Sequence, residues 1–319
     1  MNMKKEKIDS IAVQCRGKKI RNILMNAVRY FFLLSLSYVV LYEIAYILSQ
    51  SFKPQAQIYD PSVVWLPKSF TTANLKEAWR ALEYPKRLMY SFLMPVGSGL
   101  LEVFTCSLAA YGLARFRFRE NRLVFCLVLL TILVPSQMIM VPSYLNYAHL
   151  DFLGIFGLLS KLTGVDIRPN LLDTAFTFYL PSLFGVGLRS GFFVFIYLQF
   201  FKKMPKELEE AAWIDGAGPF KTFMRVIIPS SKVAITTVTI FSLIWHYNDY
   251  YMSALYFSEK YPLAVSLSLI ATNSAIAGTD YAKVLQMAGS LLFILPVLLI
   301  YMVLQKRFIQ NIDQVGIVG

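Results

Sequence analysis

The chain has 319 residues, of which 56% are hydrophobic and 16% charged, with a formal net charge of +12 and a mean hydropathy of +0.53. A soluble domain so apolar could not cover its own surface with polar groups, so the composition points to an integral membrane protein. The basic residues fall in short segments beside apolar runs, as membrane topology signals do, and this placement argues against nucleic-acid binding.

A membrane span needs roughly 20 mostly apolar residues. The polar segment 1–27 precedes the first such run, at about 28–50. It is long and basic, and the run behind it is span-sized rather than the short apolar core of a leader, so no cleavable leader is expected. The region 51–87 holds Pro54, Pro61, Pro67 and Pro85 with Trp65 and Trp79, and reads as an ordered loop carrying a short helix near 74–82. Further spans are expected at about 88–114, 122–147, 174–201, 233–257 and 284–304. Pro95, Pro135, Pro181 and Pro296 are expected to kink them. Gly185-Val186-Gly187-Leu188-Arg189-Ser190-Gly191 mimics part of a dinucleotide-binding loop, but it lies inside a span with no strand before it, so helix packing and a local kink are expected instead.

Lys and Arg set the orientation. They cluster in the N-terminal segment, at Arg115, Arg117, Arg119 and Arg122, at Lys202, Lys203, Lys206, Lys221 and Arg225, and at Lys306 and Arg307. With six spans these segments share one side, which the positive-inside rule makes cytoplasmic, with both termini. The loops 51–87 and 148–173 then lie outside. Cys15, Cys106 and Cys126 have no metal-ligand spacing and read as reduced and structural.

The polar interruption between the fourth and fifth spans is the most informative segment. Pro205 is suited to a first helical position, and Glu207, Glu209 and Glu210 suit the positive end of the helix dipole. Leu208, Ala211 and Ala212 give a small apolar face. Gly216 and Gly218 can stop this helix, and Pro219 can start a second that carries Phe220, Phe223 and Met224 and is limited by Pro229. Physical chemistry alone leaves two readings. One is a knob that seats in a groove of another protein, and the other is an interfacial helix lying on lipid with its basic flanks at the headgroups.

Among charges inside the spans, Glu43, Glu102, Arg189, His246 and Asp249 should face a cavity, a partner or a bilayer edge. Trp245, Tyr247, Asn248, Asp249 and Tyr250 combine aromatic faces with an amide and a carboxylate, a set suited to lining a sugar path, with inter-helix hydrogen bonding as the alternative. For His246 a hydrogen-bonded packing role is expected.

Glu210-Ala211-Ala212, Gly216 three residues on, then Val226, Ile228 and Pro229 after a nine-residue gap, resemble the EAA loop of permease subunits of bacterial ABC importers. Asp215-Gly216-Ala217 fits the same pattern. Ala109-Ala110-Tyr111-Gly112-Leu113-Ala114-Arg115, the pairs Val134-Pro135 and Val141-Pro142, and Trp245 followed by Asn248-Asp249 resemble the carbohydrate-uptake branch of that family. The resemblance covers about residues 50–310; the segment near 154–168 looks like extra sequence, and Gln310-Asn311-Ile312-Asp313 departs from the expected tail.

The resemblance implies an all-α integral membrane protein of the type I ABC importer permease architecture, with six transmembrane helices and a cytoplasmic coupling helix between helices four and five. It implies a permease domain over 28–305 with its core at about 86–305, a coupling loop over 203–229 and a cytoplasmic tail at 306–319. Glu210, Ala211, Ala212, Asp215, Gly216, Ala217 and Pro229 would meet the ATPase, and Asp215 could instead cap the second helix. The implied partners are a second permease subunit, two ATPase subunits carrying ATP and magnesium, an external solute-binding protein, an oligosaccharide or related sugar, and the bacterial cytoplasmic membrane. The chain has no Gly-x-x-x-x-Gly-Lys-Ser/Thr loop, so ATP chemistry is assigned to another polypeptide and the chain itself is not expected to be an enzyme or to hold a cofactor. The rival readings are a secondary transporter driven by an ion gradient, which would need paired inverted repeats, and a membrane scaffold without transport.

Overall fold

The computed structural model describes the backbone of residues 2–58, 60, 66–272 and 279–316, and the side chains of residues 21–302 within those stretches, residue 271 excepted. Pro61 and Trp65 lie outside the described residues, as do the side chains of Cys15, the basic residues of segment 1–20, Lys306, Arg307 and the 310–313 tail. All regular structure among the described residues is helical, with no strand.

Three helices are long and apolar enough to cross a membrane alone: α1 (Asn2–Ser51) over Arg21–Ser51, α3 (Tyr84–Arg115), and α15 (Asp280–Gly316) over Asp280–Met302. The expected third span is two helices, α4 (Asn121–Leu133) and α5 (Ser136–Ala148), bent by 98°. The bend falls at Val134-Pro135, where proline drives the preceding residue out of the helical region; Val134 has ψ 117°. The expected fourth span is also broken, into α7 (Phe176–Leu183) and α8 (Ser190–Lys203), because Gly185 and Arg189 between them take positive φ. The expected fifth span is α12 (Lys232–Asn248) and α13 (Tyr251–Tyr256), parted at extended Asp249. Only two bent pairs are apolar enough to count as single spans, α4 with α5 and the stretch Pro219–Ser230 with α12, which gives up to five spans among the described residues, so helix length alone does not carry the number six. Pro95, Pro181 and Pro296 lie inside continuous helices, and Pro135 sits at a break. The short helix expected near 74–82 is α2 (Ala73–Ala81).

Helix α3 is the axis of the molecule. It packs on α7, α8, α12 and α14 (Leu263–Thr272), while α1 lies on α15. Its first turns meet the loops of one end: Arg87 donates to the Glu259 carbonyl, and the Ser91 hydroxyl accepts the Leu263 N–H at 2.7 Å. At that end Asp173 Oδ1 accepts the N–H groups of Ser258, Glu259 and Lys260. Partial burial would raise the Asp173 pKa, but these three donors hold it below the ordinary carboxylate value. The last turn of α3 meets the polar interruption at the opposite end.

Between these ends the packing is tight and apolar, with Phe193, Tyr197, Phe201, Phe223, Ile227 and Val238 fully buried against Cys106, Ala110 and Tyr111. In lipid such contacts stabilise by close packing rather than by escape from water. One polar cluster interrupts them. Glu102 of α3 is fully buried and accepts hydrogen bonds from Ser190 (3.2 Å) at the start of α8 and Ser242 (2.7 Å) of α12. His246 is buried beside it, with Nδ1 2.9 Å from the Ser242 carbonyl and its ring edge-on to Phe178, and so takes the packing role expected of it. A Cβ on Gly187 would sit 2.5 Å from Glu102 Oε1, so only glycine lets the α7–α8 break approach this carboxyl. Ser242→Ala removes one of the two donors and should cost about 1–3 kcal/mol, read as a lower Tm of the purified protein.

Candidate functional site: the polar knob between α8 and α12

The chain leaves α8 at Lys203, turns through Met204 and Pro205, and enters α9 (Glu207–Ile214). Pro205 precedes this helix rather than opening it, since the helix starts two residues later, at Glu207. The three glutamates do fall in its first turn, where the unpaired N–H groups and the dipole favour them. The helix ends in a Schellman motif: the Ala217 N–H reaches the Ala212 carbonyl (2.9 Å), and the Gly216 N–H reaches Trp213 (3.0 Å). Gly216 has φ +75°, the left-handed conformation this motif requires. Pro219 then opens α10 (Pro219–Thr222), which runs through a π-helical turn (Phe223–Ile227) into α11 (Ile228–Ser230). Pro229 therefore sits within the last short helix, and the chain bends by 80° into α12 only after it. Asp215 does not cap the second helix, whose N-cap is Gly218.

The inward side of α9 is held by a charge, and the small apolar face read from the sequence lies largely outward. Leu208 and Ala211 are exposed, and Glu209 is buried. Its Oε1 lies 2.5 Å from Arg115 Nε, and its Oε2 accepts the Tyr111 hydroxyl at 3.3 Å. Arg115 also donates to the Met204 carbonyl at 3.0 Å, so one guanidinium ties both the turn and the helix to the end of α3. Phe223 from the π-helical turn closes the other side, 5.1 Å from Tyr111 between ring centroids. The cause is local: Arg115 ends an apolar helix with its side chain buried, and a buried cation needs a counter-charge.

The outward side is open. Glu210, Ala211, Trp213, Asp215, Gly216 and Pro229 are exposed, Ala212 and Ala217 half-buried. Ile214, one turn after Glu210, is 86% exposed, and Phe220 of the second helix is 60% exposed. The signal that could have revealed the anchor was the run of three acids, of which only one can face Arg115.

The family model described as "Binding-protein-dependent transport system inner membrane component" matches residues 103–314, from within α3 to the last turn of α15. The chain belongs to this family. Its relatives include the diacetylchitobiose uptake system permease protein NgcG of Streptomyces coelicolor, 27% identical over 289 residues that cover 90% of this chain and 87% of that one. The sn-glycerol-3-phosphate transport system permease protein UgpE of Pectobacterium atrosepticum is 25% identical, covering 80% and 84%. Among solved structures, a chain of a bacterial ABC transporter involved in the import of the acidic polysaccharide alginate matches the fold. Its TM-score is 0.69 at 22% identity, covering 89% of this chain and 96% of that one.

The chain is thus an inner-membrane transport component, a permease subunit rather than an enzyme, of a system that as a class works with a binding protein, a partner permease and an ATPase. Among the described residues no group of three or more His, Cys, Asp or Glu side chains could hold a metal ion, and Cys106 and Cys126 are free.

The second set of expected site residues in this permease divides. Trp245 is half-buried in a box of Phe192, Phe193 and Phe241, with the Arg189 guanidinium 5.8 Å from its ring. Tyr247 is buried, donating to the Phe293 carbonyl at 2.8 Å. Asp249 accepts from the Ser253 N–H (2.8 Å) and hydroxyl (3.0 Å), which anchors the start of α13. Asn248 and Tyr250 are exposed. Asp249→Ala removes those two bonds and should fray α13, an effect of about 0.5–2 kcal/mol that hydrogen exchange at Met252 and Ser253 would read.

Proposed function

We propose that this permease is the transmembrane half-channel of an ATP-driven importer for an oligosaccharide or related sugar, and that the α9–Gly216–α10 knob is the element a cytoplasmic ATPase moves. The observation that carries this reading is the division of α9: Glu209 is locked to Arg115 at the end of α3, while Glu210, Ala211, Gly216 and Ile214 face outward. A knob so built transmits displacement to the spans instead of absorbing it. Glu210 meets a basic group of the ATPase cleft, Ala211, Ala212, Gly216 and Ala217 allow close approach, and Asp215 and Pro229 shape its edge. ATP and magnesium belong to the ATPase. The complex has a second permease subunit, two ATPase subunits and an external solute-binding protein.

In this reading residues 28–305 form six spans, with the broken α7–α8 and α12–α13 each counted once, and the segments 1–27 and 306–319 lie with the knob on the cytoplasmic side. Lys202, Lys203, Arg115, Arg117, Arg119 and Arg122 gather near the knob and support that orientation. The cargoes named for the relatives, a chitobiose derivative and a glycerol phosphate, support a polyhydroxyl solute. Asn248 and Tyr250, with Trp245, Tyr247 and Asp249 behind them, are the path-lining group.

The test is transport by the complex in proteoliposomes with its binding protein. Glu210→Ala should leave the fold intact, since this side chain is exposed, and should cut uptake at least tenfold. Uptake and stimulated ATP hydrolysis at wild-type levels would reject the knob as the coupling element.

A further inference from the structure

The segment between α5 and α7 has no part in the mechanism above. The Leu150 N–H bonds the Pro169 carbonyl (3.0 Å) and the Leu171 N–H bonds the Tyr147 carbonyl (2.8 Å), which pinches off the stretch between as a closed loop at the ends of two spans. The loop holds a 3-10 turn (Phe152–Gly154) and one α-helix, α6 (Ile155–Thr163), bounded at each end by a glycine of positive φ, Gly154 and Gly164.

One side of α6 is fastened to its own loop. The Gly157 N–H donates to Asp151 (3.0 Å), and the Ser160 hydroxyl accepts the Ile167 N–H (3.1 Å). The other side carries Ile155, Leu158, Leu159 and Leu162 at i, i+3, i+4 and i+7, all exposed, flanked by Leu153 and Val165. Leu153 is 85% exposed and Leu162 74%. Lys161 is the one charge between Phe152 and Val165.

We infer that α6 is a monotopic anchor whose Ile/Leu stripe is sunk in the outer leaflet of the bilayer beside the α7–α8 break. Three observations select lipid as the occupant. The apolar surface is continuous with that of a span: the Phe152 ring meets Phe184 at 6.2 Å, and Leu183, Phe184 and Val186 at the break are themselves exposed. Charged groups lie on the loop rather than on the stripe, with Arg168 paired to Asp166 at 2.7 Å and Lys161 at the edge where a headgroup phosphate would sit. A solute-binding protein docks and leaves in every cycle and would return an all-aliphatic stripe to water each time, whereas the bilayer covers it throughout. The anchor pins the outer end of α7 to the membrane plane while α8 moves.

The experiment uses the whole complex in nanodiscs of phosphatidylcholine and phosphatidylglycerol, with the native cysteines replaced by serine. Spin labels are placed at Leu158→Cys, Leu162→Cys and, as an edge control, Lys161→Cys. Binding-protein-stimulated ATP hydrolysis checks that each labelled complex is assembled. Labels at 158 and 162 should relax several-fold more with oxygen, which partitions into lipid, than with a water-soluble nickel chelate, and the order should reverse at 161. Dominance of the nickel chelate at 158 and 162 overturns the anchor. Shielding from both reagents also overturns it, because a protein surface then covers the stripe. If either cysteine prevents assembly, Leu158→Trp, read by quenching with brominated phospholipids, decides the matter: quenching supports the anchor, and no quenching rejects it.

Discussion

Glu209→Ala should destabilise the permease by about 3–5 kcal/mol and abolish ATP hydrolysis stimulated by the loaded binding protein. The carboxylate and the Arg115 guanidinium are both buried, so removing one leaves the other without its counter-charge. The Tyr111 hydroxyl loses its acceptor as well, and the turn at Met204 stays bonded to a guanidinium that no longer has a reason to stay inside. Thermal unfolding of the purified permease reads the stability loss. The control is to replace both partners with apolar residues of similar length, Arg115→Met with Glu209→Leu. Buried pairs exchanged as a unit are often neutral, so the double variant should regain most of the lost stability. A single variant as stable as wild type would mean that the pair is solvated in the assembled complex.

Gly216→Val is expected to be the most damaging change on the outward face. At φ +75° a β-branched residue is strongly disfavoured, at a cost of about 1–2 kcal/mol. Relief of that strain would undo the Ala217–Ala212 bond that closes the Schellman motif. No atom of the chain lies within 4 Å of a Cβ added there, so the chain itself leaves room for a side chain. Any loss beyond the backbone cost therefore belongs to a partner's surface. Comparing Gly216→Ala with Gly216→Val separates the two contributions. Co-purification of the ATPase should fall by about tenfold for each 1.4 kcal/mol that the valine adds to docking. Equal ATPase retention in both variants would show that no protein approaches Gly216.

The sequence was legible where one residue dictates one local geometry. Gly216 and Pro219 marked the end of one helix and the start of the next, and the structure has both. The apolar runs located α1, α3 and α15 because unbroken spans announce themselves by length. The same reasoning merged α7 with α8 and α12 with α13, since hydropathy does not register a change in φ at Arg189 or an extended Asp249. Within the knob, periodicity gave Leu208, Ala211 and Ala212 as one small apolar face, and Leu208 and Ala211 are exposed. What holds the knob inward was not legible, because it is a charge 94 positions earlier, Arg115 against Glu209, which no local window contains. The Glu102 cluster was hidden for the same reason, because three helices contribute to it. The Ile/Leu stripe of α6 could be read only once the structure gave the direction each side chain faces.

Helix α3 runs 32 residues without a break, roughly 48 Å at 1.5 Å per residue. One end is clamped by Arg115 and the other by Arg87 and Ser91. Mechanically this is a push-rod with a fitting at each end, flanked by two jointed members, α7–α8 and α12–α13. Rods carry force and joints let parts swing. In the coupling proposed above, such a rod would carry a displacement of the knob to the far face, and the flexing would fall to the jointed pairs alongside.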